Sequence, residues 1–424
     1  MVARRLFWLA LACLGCFACA PGTVRTTSTV SDAPDETPMG DPPPVVTAQG
    51  EGVAEACEVA DRHEQPLPSA GVAFLDLNED GRMQSDERGL ANVAISDGLN
   101  VYVTTDDGRF SFDAALDTSL LKEHELPIVQ MTVPSGYRAT TSWYARLTGS
   151  KSDGAIRFGL VLQEQPRPFT FILVSDTHFR SDGLNNLGVA PYQPFIDQAQ
   201  AVDAAFVVDT GDSVHADAFG VEEDVLDAWR DYLDMFAAID KPAWRVPGNH
   251  DLAGVRRDGL TLRGWSLDDA NFAYGMFWNQ SGPIRASFEY GGVHFVLVDF
   301  ITRPDPFAQD WIWHPSESAF AWLEQDLGRL PADMPVCVFT HGKTPELLDR
   351  LASMSINLVA VLHGHHHSYA DYVETTHGIR VIRTLDLCPR HEMDATLPAV
   401  WGYTLLTIAE NAAITSQLVR LPSE

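Results

Sequence analysis

Residues 169–178 read FTFILVSDTH, an apolar run that stops on an aspartate and a histidine two positions apart. A short, nearly continuous run of this kind suits a strand covered on both faces, since neither face is given to water. The same grammar recurs in AAFVVDT (204–210), PAWRVP (242–247), VHFVLVDF (293–300), PVCVFT (335–340) and NLVAVL (357–362). Between these runs, Val225, Leu226, Trp229, Leu233 and Phe236 keep helical spacing. Thr344-Pro345-Glu346 reads as an N-cap, a first-turn proline and an early acid. Strands alternating with helices predict an α/β layered domain from residue 168 to the end.

Five of the runs end in residues that bind metals. They are Asp176-Thr177-His178, Gly211-Asp212, Gly248-Asn249-His250-Asp251, His341, and Gly364-His365-His366-His367. Sites in open α/β sheets gather at the carboxyl ends of strands, so five such endings point to one place in the fold. Asp, Asn and His offer oxygen and nitrogen to manganese, zinc or iron, and no cysteine takes part. Seven candidate ligands exceed what one ion needs and suit two sharing a carboxylate. Such a pair fits in-line displacement at a phosphate ester.

This order of motifs resembles the calcineurin-like metallophosphoesterase superfamily, over roughly the last 250 residues. The resemblance implies that Asp176, His178 and His367 hold one ion, that Asn249, His341 and His365 hold the second, and that Asp212 bridges them. It implies that His250 binds phosphate and protonates the leaving oxygen, with Asp251 as its orienting partner. It also implies direct attack of a metal-bridging hydroxide on phosphorus, without a covalent enzyme intermediate. Within VLHGHHHSYA (361–370) only His365 and His367 then fall in the ligand register, on the expectation of extended backbone. His363 and His366 are left as neighbours, supporting the ligands or facing solvent.

Protein Ser/Thr phosphatases of the superfamily carry Asp and Arg where this chain has His215 and Ala216. Purple acid phosphatases carry Tyr at His215 and lack a histidine at His178. The pattern is therefore closest to phosphodiesterase-like bacterial members. His215 stands with three open readings: substrate contact, support for the ligands, or solvent exposure.

The start of the chain is of another kind. Arg4 and Arg5 precede an apolar run from Leu6 to Phe17, with Ala18-Cys19-Ala20 as a small-residue cleavage site. This reads as a signal peptide over 1–20, and hence export to the periplasm, the outer membrane or the medium. Lipidation at Cys13, Cys16 or Cys19 is the alternative to simple cleavage. Residues 21–65, rich in Pro, Thr, Ser and Asp, read as a disordered tether. Only Cys57, Cys337 and Cys388 follow, too few for a disulfide scaffold, and Cys337 inside PVCVF reads as a core thiol.

From 66 to 164, short alternating runs separated by Asp97-Gly98, Asp107-Gly108 and Pro134-Ser135-Gly136 predict a small all-β sandwich. Inside it DLNEDGRMQSDE matches a calcium-loop pattern through Asp76, Asn78, Asp80, Gly81 and Glu87, with Arg82 at the position that ligates by its carbonyl. Calcium is the expected occupant, and a polar hairpin loop is the alternative. The stretch resembles repeat domains of bacterial surface proteins and the N-terminal sandwich of some bacterial metallophosphoesterases. Gln165-Pro166-Arg167-Pro168 reads as a stiff linker to the α/β domain.

Against 29 Lys and Arg stand 58 Asp and Glu, a formal charge of −29 that disfavours nucleic-acid polymers. The expected partner is a small phosphate ester, a diester before a monoester, with a non-catalytic metal-binding module as the rival class. Substrate contact is expected from Arg256, Arg257, Arg263, Trp265, Tyr274 and Trp278 in one insertion. Trp311, Trp313 and His314 in another have the same expectation. Simple packing of these aromatics is the alternative.

Overall fold

The computed structural model describes residues 67–115, 127–147, 156–180, 188–218, 221–255, 265, 271–301, 313–389 and 400–422. The expected signal peptide and tether, with Arg256, Arg257, Arg263 and Trp311, lie outside the described residues.

The first eight strands are β1 (Leu67–Leu75), β2 (Ala94–Ser96), β3 (Val101–Val103), β4 (Arg109–Ala114), β5 (Ile128–Met131), β6 (Tyr137–Ala139), β7 (Tyr144–Arg146) and β8 (Ile156–Leu162). They form two four-stranded sheets, ordered β4-β1-β8-β6 and β3-β2-β5-β7. Ala73, Ile95, Phe110, Val129, Phe158 and Leu160 are buried in their shared core.

The following strands are β9 (Phe169–Val174), β10 (Ala204–Asp209), β11 (Ala243–Arg245), β12 (Ala286–Tyr290), β13 (Val293–Leu297), β14 (Pro335–Phe339), β15 (Asn357–His363), β16 (Ala370–Val373), β17 (Arg380–Arg383), β18 (Gly402–Ile408) and β19 (Ile414–Arg420). The helices are α1 (Gln193–Ala201), α2 (Glu222–Ile239), α3 (Tyr274–Gln280), α4 (Glu317–Gly328) and α5 (Pro345–Ser353). One sheet runs β11-β10-β9-β18-β19 and another β12-β13-β14-β15-β17-β16. Pairings β9–β10, β10–β11, β13–β14, β14–β15 and β15–β17 are parallel.

The apolar runs are doubly covered because the two sheets face one another and helices close their outer sides. Phe171, Leu173, Phe206, Val208, Phe295, Leu297, Phe339 and Leu362 point between the sheets. The alternate residues Ile172, Val174 and Val207 meet Phe195, Trp229 and Tyr232 of α1 and α2. Val296, Val338 and Val361 meet Phe320, Leu323 and Leu351 of α4 and α5. The expected core thiol Cys337 lies between the sheets, and Thr344 caps α5 by accepting from Leu347 N–H.

The expected stiff linker is instead built into the structure. Gln165 Oε1 accepts from Gly136 and Gly291 N–H at 2.8 and 3.0 Å, and Arg167 donates to Gly292 O at 2.8 Å. Sequence reading gave Pro166 and Pro168 the weight, but the polar side chains beside them saturate the Gly291-Gly292 turn. Trp143 lies on Trp244 with centroids 4.7 Å apart, and Thr132 meets Ser287 Oγ at 2.8 Å. The early sheets and the α/β layers thus share continuous packing.

Candidate metal centre

Parallel β9, β10 and β11 in one sheet and β14 and β15 in the other end on the same side, each followed by one expected motif. The chain turns sharply there. Asp176, His178, Asp212, His365 and His367 all have φ between 49° and 69°. Side chains other than glycine resist this left-handed region, and clustered exceptions mark places where a site imposes the backbone. These five are half of the ten such non-glycine residues among those described.

Glycines make room for the turns. A Cβ on Gly364 would fall 1.8 Å from Ser175 Oγ and 2.5 Å from Asp176 Oδ2. One on Gly248 would fall 2.2 Å from Asp212 Oδ1. Backbone donors then hold the carboxylates: His365 N–H gives 2.9 Å to Asp176 Oδ2, and His250 N–H gives 2.7 Å to Asp212 Oδ1.

Two triads result. Asp176, His178 and His367 converge, with His367 Nε2 3.2 Å from Asp176 Oδ1 and 3.3 Å from His178 Nε2. Asp212, His341 and His365 converge likewise, with His341 Nε2 3.0 Å from Asp212 Oδ2 and 3.2 Å from His365 Nδ1. Asn249 is buried, and its Oδ1 has no hydrogen-bond partner.

The donor set fits divalent transition ions. His341 Nδ1 is 2.8 Å from Thr210 O, which can only accept, so Nδ1 carries the hydrogen. In the neutral ring, Nε2 therefore turns a lone pair toward a carboxylate oxygen. Acceptors face acceptors, an arrangement that needs a cation between them. Burial by itself would lower His341, yet the Asp212 carboxylate pushes it up to about 9. The cluster demands positive charge strongly enough to keep a proton on a buried ring.

His365 and His367 do not project together from a strand. Both sit on left-handed backbone after β15 and join different triads. The expectation of extended geometry is corrected: Gly364 breaks the strand before the pair. His363 is buried behind the site, where burial takes it down to about 3, while His366 is exposed.

Asp251 does not orient His250. Its two oxygens accept from Val214 N–H (3.0 Å) and Gly248 N–H (2.8 Å), pinning the loops that carry Asp212 and Asn249. Being buried beside Asp212 drives its carboxyl well above the ordinary range. The partner of His250 is Asp217, with Oδ1 2.9 Å from Nδ1 and Asp217 N–H 3.2 Å from His250 O. His215 is neither exposed nor at the surface of the loop. Its ring packs on His178 and His250, with centroids 4.4 and 4.5 Å apart.

Sequence reading missed Asp217 because it looked one residue after the histidine, in chain order, for its partner. The stretch DSVHAD (212–217) placed a carboxylate within reach. It also missed Asp209, which accepts from Gly211 N–H at 2.8 Å and Tyr232 Oη at 2.6 Å and so braces the Gly211-Asp212 turn.

At 76–87, Asp76 accepts from Asp80 and Gly81 N–H, Asp80 from Arg82 N–H, and Glu87 from Leu77 and Gln84 N–H. Asn78 Oδ1 accepts from Asp80 N–H at 3.2 Å. The expected loop residues are thus wrapped around one turn by its own backbone.

Residues 169–369 match the family model described as calcineurin-like phosphoesterase. The chain is 26% identical over 176 residues to a probable cyclic nucleotide phosphodiesterase of Rhodopseudomonas palustris. That match covers 40% of this chain and 56% of the relative. A dimetal phosphatase of Danio rerio aligns at TM-score 0.40 and 15% identity, over 58% of this chain and 98% of that one. A purple acid phosphatase from yellow lupin (Lupinus luteus) seeds aligns at 0.43 and 11% identity, over 85% and 67%.

Proposed function

Because residues 169–369 form a calcineurin-like phosphoesterase domain, we propose that this protein hydrolyses phosphate esters, diesters before monoesters, with two divalent transition-metal ions. The observation that carries the proposal is the pair of triads in which carboxylate oxygens and imidazole lone pairs face each other. Asp176, His178 and His367 would hold one ion, and His341, His365 and Asn249 the other, with Asp212 between them. Two ions bound there would activate a water molecule and neutralise the charge that builds on phosphorus. The name of the Rhodopseudomonas palustris relative supports a small phosphodiester as substrate.

The protein's own contribution centres on His250. With Asp217 Oδ1 2.9 Å from its Nδ1, the oriented imidazole would bind a phosphate oxygen or protonate the departing alkoxide. Its side chain is 27% exposed, so substrate can reach it. His215, buried and packed against it, lies with its Nδ1 3.7 Å from the same Asp217 oxygen. Asp209 and Asp251 fix the turns.

The proposal includes export, supported by the leader-like residues 1–20, and calcium on 76–87. There Asp76, Asp80 and Glu87 converge on one turn, and Asp80 Oδ1 and the two Glu87 oxygens each accept one N–H and keep a second lone pair for an ion.

The test loads the full chain with manganese, zinc or iron and compares bis-p-nitrophenyl phosphate with p-nitrophenyl phosphate, alongside metal counting. Metal-dependent turnover, faster on the diester and absent in Asp212→Ala, is expected. Two ions per chain with no turnover of either ester would refute the enzymatic reading.

A further inference from the structure

The aromatic residues that sequence singled out around the centre separate into three groups. Trp265, Tyr274 and Trp278 are 4%, 3% and 8% exposed and belong to the core beneath α3. Tyr274 Oη is spent on Ile301 O at 2.9 Å. His314 turns away toward α4, with its ring 6.3 Å from Phe320 and Nδ1 2.8 Å from Pro315 O. Trp313 turns the other way.

Its ring centroid is 5.5 Å from that of His365 and 5.8 Å from that of Phe300. Phe300, 2% exposed, lies 5.0 Å from His341 and 5.5 Å from His365. An aromatic wall therefore runs beside the Asp212–His341–His365 triad, buried at Phe300 and partly exposed at Trp313. Among the described residues, the other partly exposed rings at this centre, His250, His365 and His367, are polar. Trp313 supplies the apolar face.

We propose that Trp313 is a specificity-determining residue that stacks on a planar aromatic substituent of the phosphate ester, such as a nucleobase. The assignment rests on the phosphoesterase reading for the position of the phosphate. An indole flanked by Phe300 and His365 is fixed in orientation and loses little freedom when a second ring covers it. The formal charge of −29 disfavours a polyanion, so a single stacked ring on a small ester suits it.

Calorimetry on the manganese-loaded full chain tests this with adenosine 5′-monophosphate and inorganic phosphate as probes. Phosphate engages the centre alone, and the nucleotide adds the ring. Trp313→Ala should weaken the nucleotide about tenfold and leave phosphate unchanged, and Trp313→Phe should recover most of the loss. Equal weakening of both probes, or an unchanged nucleotide affinity, would overturn the assignment and make Trp313 a packing residue. Should Trp313→Ala unfold, Trp313→Phe and Trp313→Leu carry the comparison, with only the aliphatic variant expected to lose nucleotide affinity. A wild-type chain showing this selectivity but no ester turnover would support stacking while removing the enzymatic reading.

Discussion

Among the described residues, two buried clusters of carboxylate and imidazole are satisfied in different ways. At the first, His294 Nε2 is 2.8 Å from Asp326 Oδ2, while Ser287 and Arg329 donate to Asp326 Oδ1 at 3.0 and 3.1 Å. Each acceptor has a protein donor, so the charge is balanced from within. At the second, Asp176 and Asp212 each take one backbone N–H and turn the other oxygen toward ring nitrogens, of which His341 Nε2 carries no hydrogen in the neutral ring. Both clusters give their carboxylates protein donors. Only the second gathers ring nitrogens of two further residues around each carboxylate, the arrangement that suits a metal ion, whereas the first is closed by its own ion pairs.

The largest effect should come from Asp212→Ala. Turnover should fall at least a thousandfold, with loss of bound metal, while the melting temperature in chelator changes little or rises. A mutant that keeps both ions in elemental analysis would break the contrast between the clusters.

Asp326→Asn should instead leave metal content intact and cost about 3–5 kcal/mol of stability, read by urea unfolding. The pH dependence follows from the same pair. Burial opposes the charge, yet His294 and Arg329 hold Asp326 down to about 2, below its unfolded value of about 3.9. Its contribution is present above about pH 4 and is lost as pH falls through about 2. His294 is raised by Asp326 against burial. Its contribution is complete below about pH 6.5 and is lost as pH rises through the folded value. Stability from the pair should therefore be greatest between about pH 4 and 6.5, and a flat difference between wild type and Asp326→Asn across pH 2–9 would contradict it.

Asp217→Asn sharpens the comparison within the centre, since Asp217 touches His250 and belongs to neither triad. Turnover of an alkyl ester, a poor leaving group, should fall roughly a hundredfold. Bis-p-nitrophenyl phosphate, whose leaving group needs no proton, should be affected about tenfold less. Equal losses on both would reduce Asp217 to a structural role.

The smallest effect concerns the loop at 76–87, whose carboxylates converge on one turn. Ten millimolar calcium should add about 1.4 kcal/mol, for a dissociation constant near 1 mM. Differential scanning calorimetry should register a rise of roughly 3 °C that Asp76→Ala removes and that leaves turnover unaltered.

Much of the centre was legible because parallel strands end in short turns, so a ligand just past a strand has nowhere to go but the common edge. FTFILVSDTH and AAFVVDTGD carried both the strand and its ligand. Apolar runs also announced double coverage, which the facing sheets and outer helices supply. Asp217 and Trp313 were not legible as partners, because the residues they meet lie 33 and 52 positions away. Only packing decides such distances.

Sequence by itself therefore determined the ligand types, their order and the strands that deliver them, since each is a local matter of composition and period. Tertiary structure decided the left-handed turns that bring six of the seven candidates into two triads, which carboxylate holds His250, and which aromatic ring reaches the rim. Those are choices among side chains of similar chemistry, and they are settled by which of them the left-handed turns and facing sheets bring within about 3 Å of one another.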